Sequence, residues 1–191
     1  MGCRHFLVAV AAALVACSQP VVVNPPTPSP TSSAPAQPRR ATPGGTASAV
    51  LHDLVGVRVG TVSFTDTYSG LLVVGDIAGL GLGAHAIHLH AVGRCVSPFT
   101  SAGAHFNPLG KKHGFKNADG PHLGDMPNID TPAAGRLHFE FLVPGVTLRG
   151  ENALLDGDGA SIVIHSSRDD YATDPAGNSG SRIACGVITT R

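Results

Sequence analysis

The sequence predicts an all-β domain, a sandwich or small barrel, and three observations lead there. Short strand-like segments are separated by glycine, proline and aspartate. Several alternate polar with apolar side chains, as where Val59, Thr61 and Ser63 oppose Gly60, Val62 and Phe64. No segment keeps a helical period over three turns. In chain order the strand segments are SAVLHDL (48–54), RVGTVSFTDT (58–67), GLLVVGDIAGL (70–80), HAIHLHAV (85–92), RLHFEFLVP (136–144), ASIVIHS (160–166) and RIACGVITT (182–190). The fourth is entered through the glycines of LGLGA, and the sixth carries His165 directly after the apolar run SIVI. Two stretches interrupt the pattern, about Gly93–Thr131 and Ser166–Ser181. Loops this long inside a compact domain are usually functional or disordered, and here they hold or adjoin most of the remaining histidines, which favours function.

At 191 residues the chain has room for one domain with a core of its own plus extra length, and the extra length lies at the N-terminus. MGCRHFLVAVAAALVAC has a short basic start at Arg4 and an apolar run from Phe6 to Ala16, too short to cross a bilayer. It reads as a secretory signal over residues 1–16. Leu14-Val15-Ala16-Cys17 looks like a bacterial lipobox, in which cleavage leaves a lipid on Cys17; the alternative is an ordinary signal peptide containing a cysteine. The opening MGC is not a myristoylation start, because Phe6 stands where serine or threonine is required. Residues 17–46 are Pro-rich, with little that could form a core, so they read as an extended tether. The folded domain then spans 47–191.

Within that domain only Cys95 and Cys185 remain. In an exported protein they most simply form one disulfide, the alternative being two buried thiols. Thirteen basic residues balance thirteen acidic ones, and the domain has no basic run, which removes support for nucleic-acid binding.

The stretch HAIHLH places three imidazoles in six residues. In a strand, alternate side chains share a face, so His88 and His90 point the same way and His85 has the opposite parity. The loop SAGAHFNPLGKKHGFKNADGPHLGDMPN could not hold itself by packing. A cation bound by His105, His113, His122 and Asp125 would organise it, and three nitrogens with one carboxylate oxygen suit four-coordinate zinc. His88, His90 and His165, all on strands, offer imidazole alone, which suits copper. Each piece has an ordinary explanation, such as a surface pair, a polar turn or a core histidine. Six histidines and an aspartate together in one domain do not.

The segments HLHAVGRC, GAHFNP, KKHG, GPHLGDMPNI and IVIHSSRDDYATDPAGNSGSRIACGVI follow in order the motifs of the copper/zinc superoxide dismutase family, which the chain resembles from about Ala47 to its end. The resemblance implies an eight-stranded Greek-key β-barrel with two long loops, a metal and disulfide loop and an electrostatic loop that guides substrate. It implies copper on His88, His90, His105 and His165, and zinc on His105, His113, His122 and Asp125, with His105 bridging the two. By the same resemblance Asp169 links a copper ligand to a zinc ligand through hydrogen bonds. Arg182 attracts superoxide, His105 handles a proton, and Cys95 is bonded to Cys185. Ala86-Ile87 stand where the family usually has Gly-Phe.

The implied reaction is dismutation of superoxide to oxygen and hydrogen peroxide, protecting the cell envelope. The competing readings are a non-enzymatic copper-binding or copper-buffering envelope protein and an adhesive β-domain with incidental histidines. The complete ligand set and Arg182 favour the enzyme. The expected partners are superoxide and, through Cys17, a membrane; monomer and homodimer are both left open.

Overall fold

The computed structural model describes residues 44–190. The expected signal segment, Cys17 and nearly all of the expected tether lie outside them. The strands are β1 (Thr46–Asp53), β2 (Arg58–Thr67), β3 (Gly70–Ala78), β4 (Gly83–His85), β5 (Ile87–His90), β6 (Ile129–Thr131), β7 (Arg136–Val143), β8 (Ser161–His165), β9 (Arg182–Val187) and β10 (Thr189–Thr190). Among the described residues the one helical element is a 3-10 turn at Thr100–Ala102. Eight strands form one curled antiparallel sheet in the order β5-β8-β9-β1-β2-β3-β7, with β10 on β1; β4 and β6 pair separately. The chain leaves β7 at one edge and re-enters at β8, next to the other edge, which is the Greek-key connection.

Alternation decides which side chains fill the core. Phe64, Leu71, Val73, Ile87, Leu89, Ile162 and Ile164 all belong to one buried apolar cluster. On β5 and β8 the cross-strand pairs are Ile87 with Ile164, His88 with Val163, Leu89 with Ile162 and His90 with Ser161. The isoleucines and Leu89 therefore share the inner face, while His88, His90 and Val163 share the outer one. Burying each such aliphatic side chain contributes about 1.5–3 kcal/mol. The histidines take no part in that core. They ride on its back.

The expected single strand HAIHLHAV is two, broken at Ala86, because there the chain changes partner from β6 to β8. The Ala86 N–H donates to Ser167 O, and its carbonyl accepts from His165 N–H, both at 2.9 Å. His85 is thereby separated from its neighbours: its Nδ1 lies 2.8 Å from His165 O and its Nε2 2.9 Å from Gly81 O. With both ring nitrogens on backbone carbonyls it stands apart from His88 and His90, as its parity predicts.

The long loop after β5 covers that strand's open edge. Leu89 exchanges backbone bonds with Gly124 O (2.9 Å) and Phe106 N (2.8 Å), and Ala91 N donates to Ala104 O (2.9 Å). Cys95 and Cys185 are disulfide-bonded, with Cα atoms 5.7 Å apart and a sequence separation of 90. Beneath the disulfide, Phe99, Ala102, Val163 and Cys185 form a second, small apolar cluster. Closing so long a loop contributes about 4–5 kcal/mol in the chain-entropy account.

The barrel has a large core and the loop only this small one, so reduction of Cys95–Cys185 should loosen the loop more than the sheet. Hydrogen exchange in the reduced protein should accelerate between Gly93 and Asn128 well before β2, β3 and β7 respond. Uniform acceleration would mean that the disulfide supports the whole domain.

Candidate metal centre

The outer faces of β5 and β8 bring His88, His90 and His165 together, and the loop lays His105 over them. Ring centroids lie 4.1 Å apart for His88 and His105, 4.9 Å for His90 and His105, and 5.0 Å for His88 and His165. All four rings are buried. Each has one buried nitrogen without any hydrogen-bond partner: Nδ1 of His88 and Nε2 of His90, His105 and His165. Buried polar atoms are normally satisfied, so four orphans drawn together are a group that could hold a cation.

The other nitrogen of each ring is occupied. His88 Nε2 lies 2.8 Å from Asp169 Oδ2. His90 Nδ1 lies 3.0 Å from Gly103 O, and His165 Nδ1 lies 3.1 Å from Ser179 Oγ. His105 Nδ1 faces a second cluster, 3.0 Å from Asp125 Oδ1. There His113 Nδ1 is also 3.0 Å from Asp125 Oδ1 and His122 Nδ1 is 3.4 Å away. Asp125 Oδ2 is held by the backbone N–H groups of Gly114 (2.8 Å) and His122 (3.0 Å).

The donor atoms of His88, His105, His113 and Asp125 also fall within 4.8 Å of one another. The His88 nitrogen bonded to Asp169 is committed, however, and His122 Nδ1 lies only 3.4 Å from His105 Nδ1 as well. His122 is therefore the better fourth member. Three imidazole nitrogens and one carboxylate oxygen remain a donor set suited to zinc, and four imidazoles one suited to copper.

Asp169 joins the clusters. One oxygen takes His88 Nε2 and the other His113 Nε2, at 2.9 Å. The loop after β8 leaves no slack here: Gly177 has φ +65°, and a Cβ on it would run into Asp169 Oδ1 and His113 Nε2. Asn128, which the sequence alone did not single out, clamps Asp169 from behind. Its Oδ1 accepts from Asp169 N–H (2.7 Å) and its Nδ2 donates to Asp169 O (2.9 Å). Asp174 was missed as well; it accepts from His113 N–H (2.8 Å) and pairs with Lys112 (3.1 Å). Asp170 shapes the turn that follows, accepting from the N–H groups of Ala172 (2.9 Å) and Thr173 (2.8 Å).

Arg182 pairs with His165 across the β8–β9 ladder, where a register shift falls between Ile164 and His165. Its Nη1 donates to Phe99 O and its Nη2 to Gly103 O, both at 2.6 Å. Gly103 O thus serves both the guanidinium and His90 Nδ1. Burial pushes the Arg182 pKa down, but guanidinium stays charged in proteins.

Burial pushes His88 down to about 4 and His165 to about 3, and drives His90 well below 6.5. For His113 burial also acts downward, but hydrogen bonds to Asp125 and Asp169 win and raise it to about 9. Despite their own burial, Asp125 and Asp169 are held below the usual carboxylate range, by His105 and His113 in the first case and by His113 and His88 in the second.

The sequence profile of a family described as copper/zinc superoxide dismutase matches residues 58–188. A Cu-Zn superoxide dismutase 2 of Aquifex aeolicus is 49% identical over 146 residues, covering 74% of this chain and 85% of its own. A Cu-Zn superoxide dismutase of Caulobacter vibrioides is 43% identical over 147 residues, covering 74% and 84%. The crystal structure of a SOD-like protein from Bacillus subtilis, 37% identical, superposes with a TM-score of 0.72 over 78% of this chain and all of that one.

Without metal, the buried histidines should make the fold acid-sensitive. Unfolded, His88, His90 and His165 take up protons near 6.5; folded, His88 resists until about 4 and His165 until about 3, and His90 is likewise held well below 6.5. The unfolded state then binds more protons, so stability is present above about pH 6.5 and is lost as pH falls. His113 acts the other way, since its folded form already holds the proton that its unfolded form takes up only near 6.5; it offsets part of the loss at the upper end of the window, and the folded aspartates titrate only at lower pH. The denaturant midpoint of chelator-treated protein should drop from about pH 7 to about pH 4.5. A flat profile there would contradict the burial of these rings as neutral groups.

Proposed function

The chain belongs to the copper/zinc superoxide dismutase family, and from that premise we propose which residues hold the metals and how they serve the reaction. The enzyme is an oxidoreductase that uses copper and zinc and acts on superoxide. Copper would be held by Nδ1 of His88 and Nε2 of His90, His105 and His165. The observation that carries this assignment is the convergence of those four partnerless buried nitrogens. Zinc would be held by Nδ1 of His105, His113 and His122 with Asp125 Oδ1, a set supported by their mutual distances. His105 belongs to both sets through opposite nitrogens, so it would bridge them. Bound copper supplies the one-electron chemistry that dismutation requires.

The protein's own part is to admit a small anion, to hold the rings and to manage protons. His105 Nε2 is the atom placed to take up and return a proton, because Nδ1 is committed to the Asp125 side. Asp169 fixes the tautomers of His88 and His113 together, a role that partners beyond the ligands commonly have. Arg182 supplies positive charge from a guanidinium tied to two carbonyls. Superoxide offers almost no surface to recognise, so charge must bring it in. At an effective dielectric near 20, a unit charge about 5 Å away is worth about 3 kcal/mol before solvent screening.

Around this core we place a signal peptide at 1–16, a lipid anchor at Cys17 with a tether to residue 46, and the enzyme domain from 47 onward. The anchor would keep the enzyme at the cell envelope, where it would remove superoxide. The sequence Leu14-Val15-Ala16-Cys17 and the Pro-rich stretch after it support this reading.

Protein loaded with copper and zinc should dismutate superoxide and lose that activity when copper is withdrawn. Copper binding without turnover would replace the enzyme with a copper-buffering protein. Arg182→Ala should slow the reaction about ten-fold with copper content unchanged, and Arg182→Glu should be slower still. Wild-type rates should fall with ionic strength, those of the alanine variant less. Equal rates in all three would make Arg182 an ordinary half-buried arginine.

Cys17→Ser should move the protein from the detergent phase to the aqueous phase while leaving its melting temperature unchanged. A wild-type protein already in the aqueous phase would remove the anchor.

A further inference from the structure

The three strand histidines differ in what holds the ring nitrogen turned away from the cluster. His88 has a carboxylate oxygen of Asp169, and His90 has the carbonyl of Gly103. For His165 the partner is a hydroxyl: Nδ1 lies 3.1 Å from Ser179 Oγ, with the carbonyl of Gly180 more distant at 3.5 Å. At 3.5 Å an N–H···O contact is at the weak margin, so the hydroxyl is the main partner.

We propose that Ser179 is a positioning residue for His165, setting its ring orientation and tautomer through the Nδ1···Oγ hydrogen bond; this rests on the reading that His165 Nε2 holds copper. Ser179 is 2% exposed, so no bulk water competes for Nδ1. His165 Nε2 is buried without a partner, and a proton there would be a stranded donor. Gly180 O beside Nδ1 can only accept, and copper on Nε2 needs that nitrogen's lone pair, so the proton sits on Nδ1 and is donated to Ser179 Oγ.

The serine cannot drift from this place. Ser179 O accepts from Ser167 N–H at 2.9 Å, and Ser181 O accepts from Ser166 N–H at 2.8 Å. Two backbone bonds thus strap residues 179–181 to the segment just after His165. Asn178 turns the chain into position with φ 52°, and its Nδ2 donates to Asp170 Oδ2 at 2.9 Å.

A consequence follows for the donor set. A hydrogen bond to an ionised acceptor is stronger than one to a neutral acceptor, and a carboxylate partner raises the basicity of an imidazole ligand. His88 is thus the most basic of the three ligands, and His165, resting on a neutral hydroxyl, is among the less basic and the less firmly held. It is also the ring cross-strand from Arg182.

Copper affinity and the copper(II) electron paramagnetic resonance spectrum should be measured by titrating zinc-loaded Ser179→Ala, Ser179→Thr and wild-type protein. Ser179→Ala should bind copper about ten-fold more weakly, with shifted spectral parameters, and Ser179→Thr should return both towards wild type. In the zinc-loaded wild type, nitrogen NMR should find the His165 proton on Nδ1. Zinc affinity in the same samples reports on the loop as a whole. If Ser179→Ala loses zinc as severely as copper, or fails to fold, while Ser179→Thr rescues neither, the serine serves the loop alone and the proposal is overturned. Unchanged copper affinity and spectrum in Ser179→Ala overturns it directly. His165→Ala is the control: if it binds copper as wild type does, the copper assignment itself has failed, a different result from failure of the serine variants alone.

Discussion

A single chain of close imidazole–carboxylate contacts holds the site and both loops in place, made by hydrogen bonds at Asp169 and by the group that would share zinc at Asp125. It runs from His105 to Asp125, on to His113, then to Asp169 and His88. His88 belongs to β5, His105, His113 and Asp125 to the loop after β5, and Asp169 to the loop after β8. Every link is buried, so each group would be costly to leave unpaired. His113 is the pivot, with a carboxylate on each ring nitrogen, and this outweighs its burial and raises its basicity. Loops of Gly, Pro and polar residues thus gain a fixed shape without a core of their own.

The physical division of labour explains what the sequence could and could not reveal. The alternation in RVGTVSFTDT and RLHFEFLVP follows directly from one face being buried, and β2 and β7 occupy nearly those spans. The parity of His88 and His90 against His85 was legible for the same reason. β6 was not, because three residues inside a long loop carry no period, and its partner β4 is equally short. The break at Ala86 was hidden too, since it arises where the chain exchanges one distant partner strand, β6, for another, β8.

Within the site, residues that donate electrons announce themselves by type, whereas those that hold them do not. Histidines and Asp125 could be gathered from their number and spacing. Asn128 clamps Asp169 with an amide, Ser179 meets His165 with a hydroxyl, and Gly103 offers only its backbone oxygen to His90 and Arg182. Residues of these types are common in any loop. Only the folded geometry distinguishes them from solvated neighbours.

The placement of core and chemistry on opposite faces of β5 and β8 also bears on how the gene can change. Swapping Ile162 or Leu89 for another aliphatic residue alters only the inner packing and leaves every imidazole on its own side. Inserting or deleting one residue within either strand would do something far worse. It would turn the strand over beyond that point, pointing imidazoles into the apolar interior and isoleucines at the metals. Natural variation in these two strands should therefore proceed by substitution, and changes of length should collect in the connections between them.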